Sequence, residues 1–237
     1  MTNNEILHAL MKEGIKLHHE KKHAEACDVY ARAVHFAETS WSPDAPEVLQ
    51  PVVFLAMAVG EVDAGGHERI AEVLELERRA LEIARSRFGE ESPWISFVLE
   101  KIGHTFQWLG KLEEARSRLE MAVEIFAKFY GDVPSTAHHL IRLGGLLLKM
   151  ERPADALPHC ERALRIEEAH EQNSSRVMFA ATWAGLCLRG VGRMEEAAVQ
   201  FERSLAILHM IRPPEANRES AYSKELREWI AETRAKP

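Results

Sequence analysis

Gly110-Lys111-Leu112-Glu113-Glu114-Ala115 is a stretch that returns twice along the chain in similar form. It returns as Glu151-Arg152-Pro153-Ala154-Asp155-Ala156 and as Gly192-Arg193-Met194-Glu195-Glu196-Ala197, at intervals of 41 residues. Seven residues after each final alanine comes another small residue: Ala122, Ala163 and Ser204. Such regular spacing predicts one supersecondary unit that is copied and stacked, because a single copy cannot bury its own apolar face.

The residues around the first stretch predict two antiparallel amphipathic helices joined by a short turn. Ser92 and Pro93 are typical of a helix start, since proline lacks an N–H that the first turn leaves unpaired in any case. Apolar residues then recur at spacings of three and four as far as Phe106, which indicates one face of a helix. Gly110 ends this helix, and we expect a second over 113–130.

Applied to the whole chain, this unit predicts an all-α fold in one domain over 1–237. We expect a right-handed solenoid of helical hairpins with about five repeats, or ten helices, near 4–40, 45–88, 91–131, 133–172 and 174–211. A capping helix over 214–234 follows. The second repeat fits least well: Gly66 and Ala71 match the frame, but Ala80 comes two residues late. Its regularity is left open.

Glycine recurs at one position of the repeat, as Gly14, Gly103, Gly144 and Gly185. A glycine inside a helix costs about 1 kcal/mol relative to alanine, so its recurrence needs a packing reason. We expect the two helices of each pair to approach closely there, with the alanines of the second helix opposite the glycines.

These residues together resemble the tetratricopeptide repeat. The pattern is Leu99, Gly103, Phe106, Gly110, Ala115, Leu119 and Ala122, with equivalents in the next two repeats. The spacing and ends such as Arg162-Ala163-Leu164-Arg165-Ile166 resemble the longer, roughly 42-residue subtype of kinesin light chains. One departure is Pro158, which predicts a kink or shift in the second helix of the fourth repeat.

The resemblance implies that the first helices line a concave groove that binds peptides of partner proteins. The groove positions read from the frame are His8, Met11, Lys12, Met57, Phe97, Glu100, Lys101, His104, Trp108, His138, Ile141, Arg142, Phe179, Trp183 and Arg189. Aromatic rings and cations are frequent among them, so we expect a partner with apolar anchors and some acidic residues. Whether Phe97, Phe179 and Trp183 face the groove or the core is left open.

A rival signal is His19-Glu20-Lys21-Lys22-His23, which matches the HExxH motif of zinc peptidases. That motif needs both histidines on one helix, with the glutamate as general base. The repeat frame places Lys21 at the turn between two helices, so we expect the histidines on different helices. We therefore predict no metal, no cofactor and no catalytic residue, and keep a zinc peptidase as an alternative.

Composition excludes several other classes of protein. With 46% hydrophobic and 28% charged residues the chain is typical of globular proteins. Its net charge of −7 argues against a nucleic-acid partner, and no apolar run reaches the about 18 residues that cross a membrane. The first residues do not resemble a secretion signal, and three distant cysteines indicate buried thiols. We expect a cytoplasmic, non-catalytic scaffold or adaptor, with homodimerisation as an alternative.

Overall fold

The structure is a computed structural model that describes residues 2–62, 69–212 and 220–235. Throughout these ranges the regular elements are α-helices, which confirms the all-α fold of helical hairpins. They are α1 Asn3–His19, α2 His23–Ser40, α3 Pro46–Val62, α4 Ile70–Phe88, α5 Pro93–Trp108, α6 Leu112–Tyr130, α7 Pro134–Lys149, α8 Pro153–His170, α9 Ser175–Gly190, α10 Met194–Ile211 and α11 Ala221–Ala235. Gly66 and the first residues of the expected capping helix, 214–219, lie outside the described residues.

The chain divides into two compact units, Met1–Phe129 and Tyr130–Pro237. In the first unit α2 packs on α1 and α3, and α3 also contacts α4 and α5. In the second unit α9 packs on α7, α8 and α10, and α11 lies on α10. Successive first helices therefore touch within each unit, as α3 with α5 and α7 with α9. The repeat bounds and the single domain over 1–237 stay predictions.

Each recurring glycine lies against the side chain sixteen residues later in the partner helix. The pairs are Gly14 with Tyr30, Gly103 with Leu119, Gly144 with Cys160 and Gly185 with Phe201. A Cβ atom at Gly185 would lie 2.6 Å from the Phe201 ring, so only glycine fits without a shift. The expected close approach is therefore present. The expected alanines lie opposite through their backbone, with Ala115 O 3.3 Å from the Cβ position of Gly103 and Ala156 O 3.7 Å from that of Gly144, but a larger side chain fills the space over each glycine.

The turn inside four of the helix pairs contains one residue in the left-handed region. These residues are Lys21 (φ 60°), Gly110 (φ 72°), Glu151 (φ 57°) and Gly192 (φ 83°). Glycine adopts this conformation freely, whereas a residue with a Cβ atom is strained there by roughly 1 kcal/mol. Lys21 therefore lies at the turn between α1 and α2, as the repeat frame predicted.

Ion pairs connect successive second helices within each unit. Arg118 of α6 lies 2.6 Å from the buried carboxylate of Glu77 in α4. Arg79 of α4 pairs in the same way with Glu38 of α2. In the second unit a pair between α8 and α10 joins Glu168 and Arg203. These contacts fix the lateral register of the outer helices.

The second unit also buries two cysteines. Cys160 of α8 and Cys187 of α9 are both free and buried, with their Sγ atoms 3.3 Å apart. Cys27 in the first unit is free and half-buried. The helix that carries Cys160 runs without interruption from Pro153 to His170, through the exposed Pro158, so Pro158 does not break α8.

The last helix covers the end of the second unit. Leu226 of α11 is fully buried, and the ring centroids of Phe201 and Trp229 are 5.3 Å apart. The hydroxyl group of Tyr222 lies 2.5 Å from Thr182 Oγ1 of α9. These contacts give α11 the place of the capping helix that the sequence predicts at the end of the repeats. None of the helices described above is both long and apolar enough to cross a membrane.

Candidate partner-binding site

Three of the predicted groove residues are buried and cannot contact a partner. Met11 is 5% exposed and packs in a cluster with Tyr30 and Ala58. Met57 is 8% exposed, and Glu100 is 6% exposed with its carboxylate 3.4 Å from Lys101 Nζ. The repeat frame places these positions on a surface, so the prediction is wrong for these three residues, which are packed inside the first unit.

The other twelve predicted residues are accessible to different degrees. The exposed residues are His8, Lys12, Trp108, His138 and Phe179. The half-buried residues are Phe97, Lys101, His104, Ile141, Arg142, Trp183 and Arg189. The two units differ in how these residues are arranged.

In the first unit, the predicted residues of α5 cover one another. Lys101 Nζ lies 5.8 Å from the centroid of the Phe97 ring, a cation–π contact, and Trp94 packs edge-on against the same ring at 6.1 Å. The rings of His104 and Trp108 are 6.1 Å apart, also edge to face. The aromatic surface of α5 is thus partly covered by its own neighbours.

In the second unit, four predicted residues from two helices line one cavity of about 340 Å³. We call it the Phe179 cleft, and its lining is Pro134, Ser135, His138 and Ile141 of α7, Glu167 of α8, and Arg176, Phe179 and Trp183 of α9. His138 and Ile141 are three residues apart, and Phe179 and Trp183 are four apart. These spacings place each pair on one helix face.

The position of Trp183 depends on a glycine of the neighbouring helix. A Cβ atom at Gly145 of α7 would lie 3.2 Å from the Trp183 ring, so the absence of a side chain there lets the indole pack closely on α7. One part of Trp183 is therefore packed on α7, and the rest lines the cleft. Phe179 is 51% exposed, with its ring centroid 6.0 Å from that of Tyr222.

A buried carboxylate sets the electrostatics of the Phe179 cleft. The Glu167 side chain is 4% exposed, and Arg176 Nε lies 3.5 Å from its Oε2. Burial raises the pKa of Glu167 above its usual value, and the nearby charges of Arg176, His170 and His138 oppose that rise. The Arg176 side chain is 59% exposed. Its guanidinium group therefore lies at the solvent side of the cleft, and the Glu167 carboxylate lies inside.

Sequence reasoning missed both Glu167 and Arg176. The repeat frame predicts groove residues on first helices, whereas Glu167 belongs to the second helix α8. Arg176 lies one helical turn before Phe179, the first groove residue that the repeat frame predicts in α9. The signal for Arg176 was available, because Ser174 caps α9 through a hydrogen bond from the Val177 N–H, which places Arg176 in the first turn.

A second and larger cavity, of about 840 Å³, lies further along the same helices. We call it the Arg189 cleft, and its lining is Gly145, Leu148, Lys149, Glu151, Pro153, Trp183, Leu186, Arg189, Gly190, Met194 and Glu232. The Arg189 guanidinium lies 5.4 Å from the centroid of the Trp229 ring and 3.2 Å from Glu232. Trp183 lines both clefts and therefore connects them.

The HExxH motif is not assembled as a peptidase site. His19 is the exposed last residue of α1, whereas His23 is the first residue of α2. In the described part of the chain, the group with spacing suitable for a metal ion is His18, His23 and Glu61. It includes neither His19 nor the Glu20 that would act as general base.

Comparison with known proteins agrees with this fold. Residues 94–169 match the family model of the tetratricopeptide repeat. A curated relative, KINESIN LIGHT CHAIN-RELATED 1 of Arabidopsis thaliana, is 25% identical over 136 residues. That match covers 55% of this chain and 22% of the relative, so the chain spans about a fifth of the length of the curated relative it matches.

Solved structures give the same result for the fold. The TPR-like repeats of a protein described as a kinesin light chain from Podosopora anserina superpose with a TM-score of 0.71 at 18% identity, covering 88% of this chain and 97% of theirs. BtubC (BKLC) from P. vanneervenii has a TM-score of 0.73 at 20% identity, covering 92% and 86%. Such a fold is in general a scaffold for protein–protein interaction. These findings confirm the resemblance: residues 94–169 match the tetratricopeptide repeat, and the helical hairpins are similar in fold to the TPR-like repeats of a kinesin light chain.

Proposed function

We propose that the chain is a non-catalytic adaptor that binds a peptide segment of a partner protein through the Phe179 and Arg189 clefts. The observation that carries this proposal is the meeting of His138, Ile141, Phe179 and Trp183, from two successive first helices, around one cavity. Peptide-binding sites bury aromatic anchors in pockets and surround them with polar groups. The Phe179 cleft has both components.

The chemistry of the clefts favours an apolar anchor next to acidic residues. Phe179 and Trp183 offer ring surface for an aromatic or branched aliphatic side chain, whose burial releases water from both partners. The exposed guanidinium of Arg176 stands at the entrance, and Lys149 and Arg189 line the second cleft. Because the surrounding chain is acidic overall, these cations would select a partner's carboxylates.

Selection of binding peptides from a random display library, with the purified full chain as bait, tests the proposal. We expect enrichment of peptides with one apolar anchor flanked by Asp or Glu. Phe179→Ala and Arg176→Glu should each weaken the binding of a selected peptide about tenfold or more in fluorescence anisotropy. Val199→Ala is the matched control, because Val199 is a 58% exposed apolar residue of the second helix α10.

Equal affinity for the wild type, Phe179→Ala and Arg176→Glu would contradict the assignment of the clefts. Equal losses in Val199→Ala would contradict it too, since they would indicate binding elsewhere. The proposal also includes a cytoplasmic location and no nucleic-acid partner. It is supported there by the net charge of −7 and the three free thiols, and cell fractionation would test the location.

Self-association is a second candidate, and the outer surface of α10 favours it. Met210 is 64% exposed, Val199 58% and Ile211 44%, and exposed apolar residues of this kind are often covered by a second copy. Light scattering should then give twice the monomer mass for the wild type and the monomer mass for Met210→Lys. A wild-type monomer at high concentration would exclude the homodimer.

A further inference from the structure

Two histidines and a glutamate from three different helices meet in the first unit. His18 is the penultimate residue of α1, His23 the first of α2 and Glu61 the penultimate of α3. Glu61 Oε2 lies 3.3 Å from His18 Nε2 and 2.7 Å from His23 Nδ1. Candidate ligand atoms of all three residues lie within 4.8 Å of one another.

The carboxylate of Glu61 is buried, and within the described residues it pairs with two imidazoles and with no lysine or arginine. The Glu61 side chain is 7% exposed, and the two imidazoles that contact it are 22% and 29% exposed. A buried carboxylate is unfavourable unless a cation or hydrogen bonds neutralise it. His23 Nδ1 lies 2.7 Å from Glu61 Oε2, but the two atoms do not have the geometry of a hydrogen bond, and among the described residues His18 Nδ1 has no hydrogen-bond partner either.

We propose that His18, His23 and Glu61 bind a divalent transition-metal ion of the zinc class. Two imidazole nitrogens and a carboxylate oxygen are donors that Zn²⁺ prefers. Ligands about 2.1 Å from a tetrahedral centre lie about 3.4 Å apart, which agrees with the 3.3 Å between His18 and Glu61. Metal binding would require the His23 ring to turn so that its 2.7 Å contact with Glu61 lengthens to the same spacing.

This site is different from the HExxH reading of the same stretch. It keeps His23 but uses His18 in place of His19, and Glu61 of α3 in place of Glu20. The exposed part of both imidazoles leaves the fourth ligand position to water. Because its ligands come from α1, α2 and α3, the bound ion would hold the first helix pair to the helix that follows it.

Titration of the tag-free, chelator-treated full chain with Zn²⁺ tests this site. We expect one equivalent bound in calorimetry and in metal analysis after dialysis, and a higher Tm with zinc than without. Co²⁺ in its place should give the intense visible absorption of a tetrahedral site. Glu61→Gln and His18→Ala should each weaken binding at least tenfold. His19→Ala is the matched control and should bind like the wild type, because His19 is exposed and outside the cluster.

Several results would overturn the site. The wild type could fail to bind zinc stoichiometrically, Glu61→Gln could bind zinc with full affinity, or His19→Ala could lose as much zinc affinity as the cluster variants. The last result would return the assignment to the HExxH motif. Far-ultraviolet circular dichroism checks the fold of each variant, and if His18→Ala fails to fold, the nearly isosteric Glu61→Gln decides the question. A zinc-independent Tm with unchanged Co²⁺ spectra on mixing would also reject the proposal.

Discussion

Phe97 of α5 and Phe179 of α9 occupy the same position of the repeat, but the two units use them differently. In the first unit Lys101 and Trp94 contact the Phe97 ring, which is half-buried. In the second unit Phe179 is 51% exposed and lines a cavity. The same frame position is thus covered in one unit and accessible in the other.

The difference arises one turn later. Lys101 and Trp183 also share a frame position, and the lysine extends its ammonium over Phe97 whereas the indole packs on Gly145. A flexible cation covers its neighbour, and a rigid ring held against a glycine leaves a cleft. The packing residues that repeat along the chain therefore fix the helices, and the residues that do not repeat decide where a partner can bind.

The largest expected effect is on the free energy of unfolding, and it distinguishes a buried from an exposed phenylalanine of the second unit. Phe201 is fully buried over Gly185, so Phe201→Ala should lower the free energy of unfolding by about 3–5 kcal/mol. Phe179→Ala removes an exposed ring and should cost less than about 1 kcal/mol. Urea unfolding followed by circular dichroism measures both. Similar losses would show that Phe179 serves packing and would remove the reason for assigning it to binding.

The next effect distinguishes one helix pair of the first unit from one of the second by how closely the two helices approach. A Cβ atom would lie 2.6 Å from Phe201 at Gly185, and 3.1 Å from Leu119 at Gly103. Gly185→Ala should therefore destabilise by about 1–3 kcal/mol, because the ring has little room to shift. At Gly103 the flexible leucine can move, whereas the Ala115 carbonyl oxygen at 3.3 Å cannot, so the gain in helix propensity of about 1 kcal/mol offsets part of the strain and the loss should be smaller. The midpoints of urea unfolding compare the two variants, and a larger loss for Gly103→Ala would reverse the argument.

A smaller effect on stability is expected at the left-handed turn residues, which both units contain. Glu151→Gly and Lys21→Gly each replace a strained left-handed residue and should stabilise by up to about 1 kcal/mol, net of the greater freedom of the unfolded chain. Gly110→Ala and Gly192→Ala are the reciprocal variants and should destabilise by a similar amount. Thermal unfolding is the measurement. If Glu151→Gly is destabilising, the glutamate side chain makes a contribution that outweighs backbone strain.

The smallest effect is a dependence of stability on pH that belongs to the second unit. Burial raises the pKa of Glu167 in the folded state, so the folded protein holds this proton more tightly than the unfolded chain. Stability from this group is present at low pH and is lost as pH rises from about 4.5 through the folded pKa. Glu167→Gln should therefore gain stability relative to the wild type as pH rises through that window. Parallel profiles of Tm against pH would contradict this assignment.

The repeating part of the fold was predictable because it depends on local packing. Gly103, Gly144 and Gly185 each admit one partner side chain sixteen residues later, and such contacts within a hairpin can be read from periodicity. The site was predictable only in part. Ile141 and Trp183 follow from the frame, but Met57 was assigned to the surface and is buried.

The rest of the site depends on contacts between repeats, which the frame does not describe. Glu167 reaches the Phe179 cleft from α8, the second helix of its pair. Glu61 of α3 meets His18 of α1 and His23 of α2. How far successive pairs rotate and slide decides which of these side chains meet. The residues that control such rotation, including Gly145 against Trp183, lie outside the repeating pattern.

The distribution of the three thiols gives each unit its own chemical reporter. Burial raises the pKa of Cys27 to about 11, and the hydrogen bond between Cys187 and Cys160, together with burial, raises the pKa of Cys160 even further. A thiol reacts with iodoacetamide as its thiolate, so labelling of the buried Cys160 and Cys187 requires local opening, whereas the half-buried Cys27 reacts slowly because its pKa is raised. Mass spectrometry of peptides alkylated over time would therefore report how often α8 and α9 separate, independently of the helices around Cys27.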